Sequence, residues 1–232
     1  MPILTVKNLN LNIAKSILVN INFSIEKGDY VGLIGPNGAG KTSLLKCLLG
    51  INQNYTGRIE SSPGLKLGYV PQHYNLPELM PISVREVLQL GCAGLDEPSM
   101  KKALSRLGLK SQLLDNNFHN LSGGQKQRVI IARSLASEPD ILLFDEPFSG
   151  VDYQTKIKLY ELLGKLNKNL GLTILFVSHE IDHVVEKCHK VLCLNKTIHT
   201  GCHPVDFAKG KIPCEVSTNR LGTRPIHHHH NS

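Results

Sequence analysis

The chain has 232 residues, of which 41% are hydrophobic and 19% charged, so it can bury the core of one globular domain or of one domain with a sub-lobe. Its net charge of +7 comes from scattered Lys and Arg residues, which favours solvated helix faces over a nucleic-acid site. We expect a cytosolic protein, because no apolar stretch approaches the roughly 20 residues of a membrane span and the N-terminus lacks a signal-peptide pattern.

Apolar runs of strand length alternate with helical patterns along the chain, which predicts a largely parallel sheet with crossover helices. Three of these runs end in polar clusters. Residues 30–34 lead into a glycine-rich loop, residues 141–144 into Asp145 and Glu146, and residues 172–177 into the cluster Ser178, His179 and Glu180. Since ligands of open α/β sheets lie at the carboxyl ends of strands, the three clusters predict one shared site.

The glycine-rich loop reads GPNGAGKT over residues 35–42, which fits the phosphate-loop pattern of two glycines separated by four residues and followed by Lys and Ser or Thr. Backbone N–H groups of such a loop close around phosphate oxygens, and the helix that opens at about Gly40 favours negative charge. Lys41 is expected to reach the β- and γ-phosphates, and the Thr42 hydroxyl to ligate Mg²⁺. The predicted nucleotide-binding residues are Gly35, Pro36, Asn37, Gly38, Ala39, Gly40, Lys41, Thr42 and Ser43.

The alternation stops between residues 73 and 120, where helical patterns at 84–90 and 99–107 predict an inserted helical subdomain. The five residues LSGGQ follow at 121–125. Ser122 can cap a helix while Gly123 and Gly124 let its backbone approach an anion, so Ser122, Gly123, Gly124 and Gln125 predict a second phosphate-binding helix start. Further on, Leu159, Leu162, Leu163 and Leu166 have the spacing of a crossover helix packed on the sheet.

The phosphate loop, LSGGQ and the apolar run ending in Asp145 and Glu146 resemble, in this order, the ATP-binding-cassette (ABC) ATPase family over about residues 3–208. The resemblance implies an α/β fold, namely a P-loop NTPase (RecA-like), mostly parallel sheet with an N-terminal antiparallel β subdomain and an α-helical subdomain at about 73–120. Residues 1–208 would form the ABC ATPase domain, and residues 209–232 a flexible tail with a His-rich end. LSGGQ would face the nucleotide of the opposite subunit in a head-to-tail dimer that closes on two ATP molecules.

The resemblance also implies catalytic roles. Asp145 would hold Mg²⁺, and Glu146 would be the general base that polarises the attacking water. Gln72 would contact Mg²⁺ and the same water, and Lys41 would bind the phosphates. His179 matches the switch histidine of the family, whose ring N–H can donate to the γ-phosphate.

Outside the catalytic residues, one position matches the family and one region departs from it. Asp152 matches the loop that communicates across the dimer. An aromatic residue that stacks on adenine is usual in the region of residues 9–14, but none is present, and Ile13 offers apolar contact only. His183 and His189 are expected to be structural or exposed.

A chain without a membrane span cannot transport alone, so the resemblance implies separate permease subunits whose coupling helix docks on the helical lobe and on the loop after Gln72. Residues 68–72, residues 191–195 and the His-rich end resemble the ATPase subunit of bacterial zinc importers, within the broader zinc and manganese group. Such a subunit lies at the cytoplasmic face of the inner membrane and works indirectly with a periplasmic metal-binding protein. It has no nucleic-acid partner.

Three alternatives stay open from the sequence. One is a soluble ABC ATPase for iron–sulfur cofactor assembly, another is an importer ATPase for a different substrate such as manganese, and the third is a nucleotide switch without turnover, which Glu146 disfavours. A DNA-repair ATPase is disfavoured because the helical lobe is too short for a long coiled coil.

The six cysteines lack CxxC spacing, which indicates free thiols. The Cys and His residues near the C-terminal end suit a regulatory metal site, although Cys193 lies in an apolar strand pattern that favours the core. The residues concerned are Cys188, His189, Cys193, His199, Cys202, His203 and Cys214. Residues 227–230, all His, fit either a native metal-binding tail or the remnant of a purification tag.

Overall fold

The computed structural model of the chain describes residues 1–13, 15–72, 74, 76, 81–92, 94–148, 150–178 and 188–202, with the backbone alone at positions 13, 15 and 200–202. His179, His183 and the predicted tail at 209–232 therefore lie outside the described residues. So does the boundary expected at residue 208.

The strands and helices follow one another along the chain as β1 (Pro2–Ile13), β2 (Lys15–Glu26), β3 (Tyr30–Ile34), α1 (Lys41–Leu48), β4 (Tyr55–Ser61), β5 (Leu67–Val70), α2 (Val84–Gln89), α3 (Glu97–Arg106), α4 (Gly123–Leu135), β6 (Ile141–Asp145), α5 (Tyr153–Leu170), β7 (Thr173–Val177), β8 (Lys190–Asn195) and β9 (Thr197–Cys202). Two short 3-10 helices, Ser111–Asp115 and Phe118–Asn120, lie between α3 and α4. None of these described helices combines the length and apolar character that crossing a membrane requires.

The strands form two sheets. Three of them make an antiparallel sheet in the order β2-β1-β4, and six make a second sheet in the order β5-β6-β7-β3-β8-β9. In the second sheet the ladders from β5 to β8 are parallel, and β9 pairs antiparallel with β8. The expected α/β fold, with a mostly parallel sheet and an N-terminal antiparallel sheet, is confirmed.

Both faces of the six-stranded sheet are buried, which explains why its central strands are continuous apolar runs rather than alternating ones. Along β6, Ile141 and Leu143 pack on the side of the three-stranded sheet and α1. Leu142 and Phe144 pack on the opposite side, among the helices. Successive strand residues point to opposite faces, so one short strand contributes to two separate apolar cores.

The predicted helices between residues 73 and 120 are present as α2 and α3. Their buried side chains, such as Val87 and Leu104, share one apolar core with Ile130 of α4 and with one face of the sheet. The leucine stripe also forms a helix as expected, because Leu159, Leu163 and Leu166 of α5 are buried in that same core. The helical segment is thereby packed continuously onto the sheet that carries the polar strand ends.

Candidate functional site

The ends of β3, β6 and β7 converge because these strands are neighbours in the sheet. Gly32 of β3 and Phe144 of β6 both lie opposite Phe176 of β7 in the parallel ladders. The loop after β3 and the pair Asp145 and Glu146 after β6 therefore meet at one edge, as the sequence predicted. The rest of the third predicted cluster, His179 and Glu180, lies outside the described residues.

The glycine-rich loop has a conformation that glycine allows and other residues resist. A Cβ atom at Gly35 would collide with the carbonyl oxygen of Leu194 on β8. Gly40 has a φ of 99°, a left-handed conformation that L side chains rarely adopt. Gly40 also precedes α1 without a side-chain cap, so the first N–H groups of this helix remain able to bind an anion.

Lys41 is the first residue of α1 and is almost entirely buried. Its Nζ donates hydrogen bonds to the carbonyl oxygens of Gly35 at 2.9 Å and Pro36 at 3.1 Å. The same Nζ lies 3.6 Å from Oε1 of Glu146, whose side chain is only 15% exposed. A buried ammonium held over the loop in this way is a strong local attraction for phosphate oxygens.

Asp145, the last residue of β6, is 3% exposed and accepts two side-chain hydrogen bonds. The Thr42 hydroxyl donates to Oδ1 at 3.1 Å, and the Tyr69 hydroxyl donates to Oδ2 at 3.3 Å. Burial raises the pKa of the Asp145 carboxyl and the negative charge of Glu146 adds to this, while the two hydrogen bonds and the charge of Lys41 oppose it. A cation at this carboxylate would relieve the cost of burying its charge.

The residues present fit Mg²⁺. A hydroxyl oxygen and a carboxylate lie in direct contact at Thr42 and Asp145, and Mg²⁺ prefers such hard oxygen ligands, usually with only one or two carboxylates. Gln72, the third predicted ligand, contacts a different carboxylate. Its Nε2 donates to Oε2 of Glu146 at 3.4 Å.

Glu146 has a strained backbone, with a φ of 47° in the left-handed region. Its N–H donates to the carbonyl of Val177 at 3.3 Å, which ties the turn after β6 to the end of β7. Strain of this kind persists only where the surroundings fix it, and it is common at functional sites. The Glu146 carboxylate thus lies between Lys41 and Gln72. We call Lys41, Thr42, Gln72, Asp145 and Glu146 the phosphate-loop group.

The LSGGQ residues begin α4, as predicted. The backbone N–H of Gln125 donates to Ser122 Oγ at 3.3 Å, and the Ser122 N–H donates to Gln125 Oε1 at 3.0 Å, which is a reciprocal capping box. Asp152 caps α5 in a similar manner by accepting from the Thr155 N–H at 3.0 Å, and this hydrogen bond lowers the pKa of Asp152.

Asp152 and the start of α4 lie close together in the same chain. A Cβ atom on Gly124 would stand 3.1 Å from Cγ2 of Thr155, and Ser122, Gly123 and Asp152 line one cavity of about 680 Å³. We call Ser122, Gly123, Gly124, Gln125 and Asp152 the signature group. Within the described parts of the chain, no hydrogen bond or ion pair joins it to the phosphate-loop group. One copy of the chain therefore carries two separate polar sites.

Tyr69 is the residue that the sequence reasoning missed, since it was taken only as part of the apolar run of β5. Its hydroxyl reaches Asp145 across the neighbouring strand. Burial and the nearby Asp145 carboxylate raise the pKa of Tyr69 to about 12, so it remains a donor at neutral pH. The available signal was a polar hydroxyl in an otherwise apolar run. Tyr69 pairs with Leu143, and Asp145 lies two residues further along β6, so the two side chains share one face of the sheet.

A regulatory metal site near the C-terminal end stays a prediction. No three His, Cys, Asp or Glu side chains of the described residues gather as metal ligands do, and the candidates His203 and Cys214 lie outside those residues. Cys193 is buried in β8, as its apolar surroundings predicted. His189 is structural, since its Nδ1 accepts a hydrogen bond from the Tyr30 N–H at 3.3 Å. No disulfide joins the described cysteine side chains, which are those at positions 47, 92, 188 and 193.

The chain is similar to known proteins over most of its length. The family model described as ABC transporter matches residues 18–149. A relative from Thermotoga maritima, named "Probable metal transport system ATP-binding protein", is 43% identical over 208 residues, which cover 88% of this chain and 85% of the relative. The zinc import ATP-binding protein ZnuC of Marinobacter nauticus is 38% identical over 216 residues, or 93% of this chain and 83% of ZnuC.

Solved structures agree with these relatives. The structure of cbiO1 from Clostridium perfringens, part of the ABC transporter complex cbiONQ, has a TM-score of 0.79 and 31% identity, covering 90% of this chain and 92% of that one. A bacterial ABC transporter cassette solved as a dimer has a TM-score of 0.70 and 27% identity, covering 84% of this chain and 96% of that one. The sequence match, the two relatives and the fold together show that the chain belongs to the ABC transporter family, as an ATP-binding subunit.

Proposed function

We propose that the chain hydrolyses ATP to power the import of a divalent transition metal ion, zinc, across the bacterial inner membrane through separate permease subunits. The observation that carries the hydrolytic part is the contact of Lys41 with Glu146, beside the contact of Thr42 with Asp145, at one edge of the sheet. These contacts support a single site that combines a phosphate-binding cation, an activating carboxylate and a metal-binding pair.

Each residue has a distinct part in the proposed reaction. The loop N–H groups of residues 35–43 and the Lys41 ammonium bind the phosphates and orient the γ-phosphoryl group. Thr42 and Asp145 would hold Mg²⁺, which when bound neutralises charge on the β- and γ-phosphate oxygens. Glu146 accepts a proton from the attacking water, and Gln72, which donates to Glu146, orients that water with it. His179 keeps its predicted role as a donor to the γ-phosphate.

A second copy of the chain completes the site in this proposal. The signature group is exposed at Ser122, Gly123 and Asp152, and the start of α4 is a capped, positively polarised helix end suited to a phosphate. In a head-to-tail dimer it would approach the nucleotide of the other copy. The lack of a hydrogen bond or ion pair between the two groups in the described parts of one chain, and the dimer of the similar cassette, support this arrangement.

The partners follow from the proposed transport. Integral membrane permease subunits would carry the ion, and a periplasmic metal-binding protein would deliver it to them without touching this chain. Residues 1–208 would form the ATPase domain at the cytoplasmic face of the membrane, with 209–232 as a tail. The names of the relatives, metal transport in one and zinc import in the other, support zinc over manganese or iron–sulfur assembly.

Metal uptake by cells tests the proposed function. Cells deleted for this chain are grown with limiting zinc or limiting manganese and complemented with wild type, Glu146→Gln or the control Glu60→Gln, whose carboxylate is exposed on β4 and paired with Lys7. We expect wild type and Glu60→Gln to restore zinc uptake, and Glu146→Gln to fail. If only manganese uptake depends on the chain, the proposed substrate is wrong. If neither uptake depends on it, metal import is wrong.

A further inference from the structure

Ser134, in the last turn of α4, uses its hydroxyl to bond to the sheet rather than to its own helix. It is 7% exposed, and its Oγ donates to the backbone carbonyl of Tyr69 on β5 at 2.7 Å. The carbonyl of Ile130, the usual partner of a serine inside a helix, lies 3.4 Å from the same Oγ. A hydroxyl has one proton to donate, and 2.7 Å is the favoured O–H···O distance, so the bond to Tyr69 is the one that forms.

The close approach of α4 to β5 makes this bond possible. β5 is the outermost of the described strands in the six-stranded sheet, so no described strand pairs with its outer edge. A Cβ atom on Gly68 would stand 2.9 Å from the carbonyl oxygen of Ser134 and 2.7 Å from Cδ1 of Leu142. Gly68 does not have a positive φ, so glycine is required here for space alone. The end of α4 is thereby fixed against the edge of β5.

Tyr69 is held from both faces of the sheet. The apolar side chains of α4 pack on one face, and Ser134 reaches the Tyr69 backbone from this helix. The Tyr69 ring packs on the opposite face, where its hydroxyl donates to Oδ2 of Asp145 at 3.3 Å. This distance is longer than the usual O–H···O range, so a small further shift of β5 would break the bond to Asp145.

The beginning of β5 has a separate attachment. The Asp140 N–H donates to the Lys66 carbonyl at 2.8 Å, and Asp140 Oδ2 accepts from the Lys66 N–H at 2.9 Å. The parallel ladder with β6 also remains when the Ser134 hydroxyl is removed. Loss of this hydroxyl should therefore displace the end of β5 near Tyr69 and leave the rest of the strand in place.

We propose that Ser134 is a positioning residue for the Mg²⁺ site, whose hydroxyl fixes the backbone of β5 so that the Tyr69 hydroxyl stays bonded to Asp145. The inference rests on the proposed function, in which Thr42 and Asp145 hold Mg²⁺ beside ATP. Ser134 acts on this site through Tyr69, since its own hydroxyl is committed to the Tyr69 carbonyl.

The same hydroxyl links the two polar sites of one chain. α4 is capped by Ser122 of the signature group, and Ser134 lies in its last turn. Two hydrogen bonds, from Ser134 to Tyr69 and from Tyr69 to Asp145, continue from the end of this helix to the phosphate-loop group. The position of the signature helix therefore bears on the Asp145 carboxylate within a single copy.

ATP affinity with and without Mg²⁺ tests the proposal independently of turnover. Binding of a non-hydrolysable ATP analogue by the full chain is measured in excess Mg²⁺ and again in EDTA, for wild type and Ser134→Ala. Loss of one hydrogen bond predicts binding about threefold weaker for Ser134→Ala in Mg²⁺ and unchanged binding in EDTA. The matched control is Ser137→Ala, which removes a half-buried hydroxyl that lies 3.4 Å from the Ser134 carbonyl and should bind as wild type does in both conditions.

A double variant decides whether Ser134 acts through Tyr69. When Tyr69 is already Phe, adding Ser134→Ala should weaken binding in Mg²⁺ no further. The inference is overturned by an equal loss in EDTA, by no loss in Mg²⁺, or by a loss that persists in full in the Tyr69→Phe background.

Thr42→Val separates a failure of the inference from a failure of the proposed function. If Thr42→Val weakens binding in Mg²⁺ but Ser134→Ala does not, the inference alone is wrong. If Thr42→Val binds as tightly as wild type in Mg²⁺, the proposed Mg²⁺ site is wrong and the inference fails with it.

Discussion

The phosphate-loop group and the signature group differ in how much of their chemistry one chain completes. Lys41 and Asp145 are buried, and their side chains already contact Glu146 and Thr42. In the signature group, by contrast, Ser122 and Asp152 are exposed, and among the described residues they bond to the first turns of their own helices alone. The side chains of one region contact one another inside the chain, while those of the other are exposed at the starts of two helices.

This difference separates the chemistry that one copy of the chain can carry out from the chemistry that requires a second copy. The proposed binding of phosphate and Mg²⁺ requires residues that one copy holds together at the ends of β3 and β6. Hydrolysis in the proposed dimer requires, in addition, an exposed helix end from the second copy. Substitutions in the two groups should therefore separate nucleotide binding from turnover in different ways.

The largest effect is expected for Glu146→Gln. General-base catalysis contributes about 10²- to 10⁴-fold to rate, so the ATPase rate should fall by roughly that factor. ATP affinity should stay near that of wild type, because the amide keeps the shape of the side chain and Lys41 keeps its carbonyl partners. Steady-state phosphate release and equilibrium nucleotide binding check this pair of results. Wild-type turnover by this variant would remove Glu146 from its role.

Ser122→Ala sharpens the comparison because the chain offers a matched control. Ser83 forms the same capping box at the start of α2, with Glu86 in place of Gln125. Each Ser→Ala change should lower the free energy of unfolding by about 1 kcal/mol through loss of the cap. Only Ser122→Ala should also lower ATPase rate, by roughly 30-fold, since a hydroxyl near phosphate contributes about 2 kcal/mol.

Urea unfolding and ATPase rates at high protein concentration measure both quantities for Ser122→Ala and Ser83→Ala. Equal losses of ATPase rate in the two variants would mean that Ser122 acts through helix stability alone.

Tyr69→Phe tests the hydrogen bond that the Tyr69 hydroxyl donates to Asp145 of the phosphate-loop group. Losing the hydroxyl removes a hydrogen bond that favours the charged form of Asp145, so the pKa of this carboxyl should rise further. The acid limb of the ATPase pH profile should then move to higher pH, and the Mg²⁺ concentration for half-maximal rate should rise about fivefold to tenfold. Tyr55→Phe on β4 is the control and should leave the acid limb unchanged. An acid limb that is also unshifted in Tyr69→Phe would contradict the role given to Tyr69.

The smallest expected effect concerns Arg133→Met in the isolated chain. Met keeps an apolar stem against Gly91 and removes a charge that is half-buried without a described acceptor. We expect stability to rise by at most about 1 kcal/mol after solvent screening, or roughly 2–4 °C in Tm. Arg106→Met should not gain stability, because it breaks an ion pair with Glu138. A lower Tm for Arg133→Met would indicate a structural role for the arginine.

Most of the fold could be predicted because its signals are local. Apolar runs of strand length gave the central strands, and the 3.6-residue spacing of Leu159, Leu163 and Leu166 gave α5. Gly40 and Ser122 predicted two helix starts from their residue types. The order of the strands in the sheet depends on pairing between distant parts of the chain, which local patterns do not predict. The prediction that three strand ends meet came instead from the rule that ligands of open α/β sheets lie at the carboxyl ends of strands.

The side-chain contacts within the site could not be predicted in the same way. Tyr69 and Asp145 are 76 positions apart and meet only because β5 and β6 are neighbours in the sheet. The positive φ of Glu146 is set by the turn after β6 and by its hydrogen bond to Val177. No local pattern predicts the surroundings of Arg133, because they depend on which side chains lie nearby in space. The predicted catalytic and binding roles, including those of Gln72 and His179, stay predictions.

The central claim is that the signature group of one copy completes the nucleotide site of another. Its most direct test is sedimentation of Glu146→Gln with Mg²⁺ and ATP, alone and combined with Ser122→Arg, which places a bulky side chain on the exposed start of α4. The account predicts that Glu146→Gln sediments as a dimer with one ATP per chain, and that the double variant binds ATP as a monomer. ATP-saturated monomers of Glu146→Gln, or dimers that persist with Ser122→Arg, would contradict it.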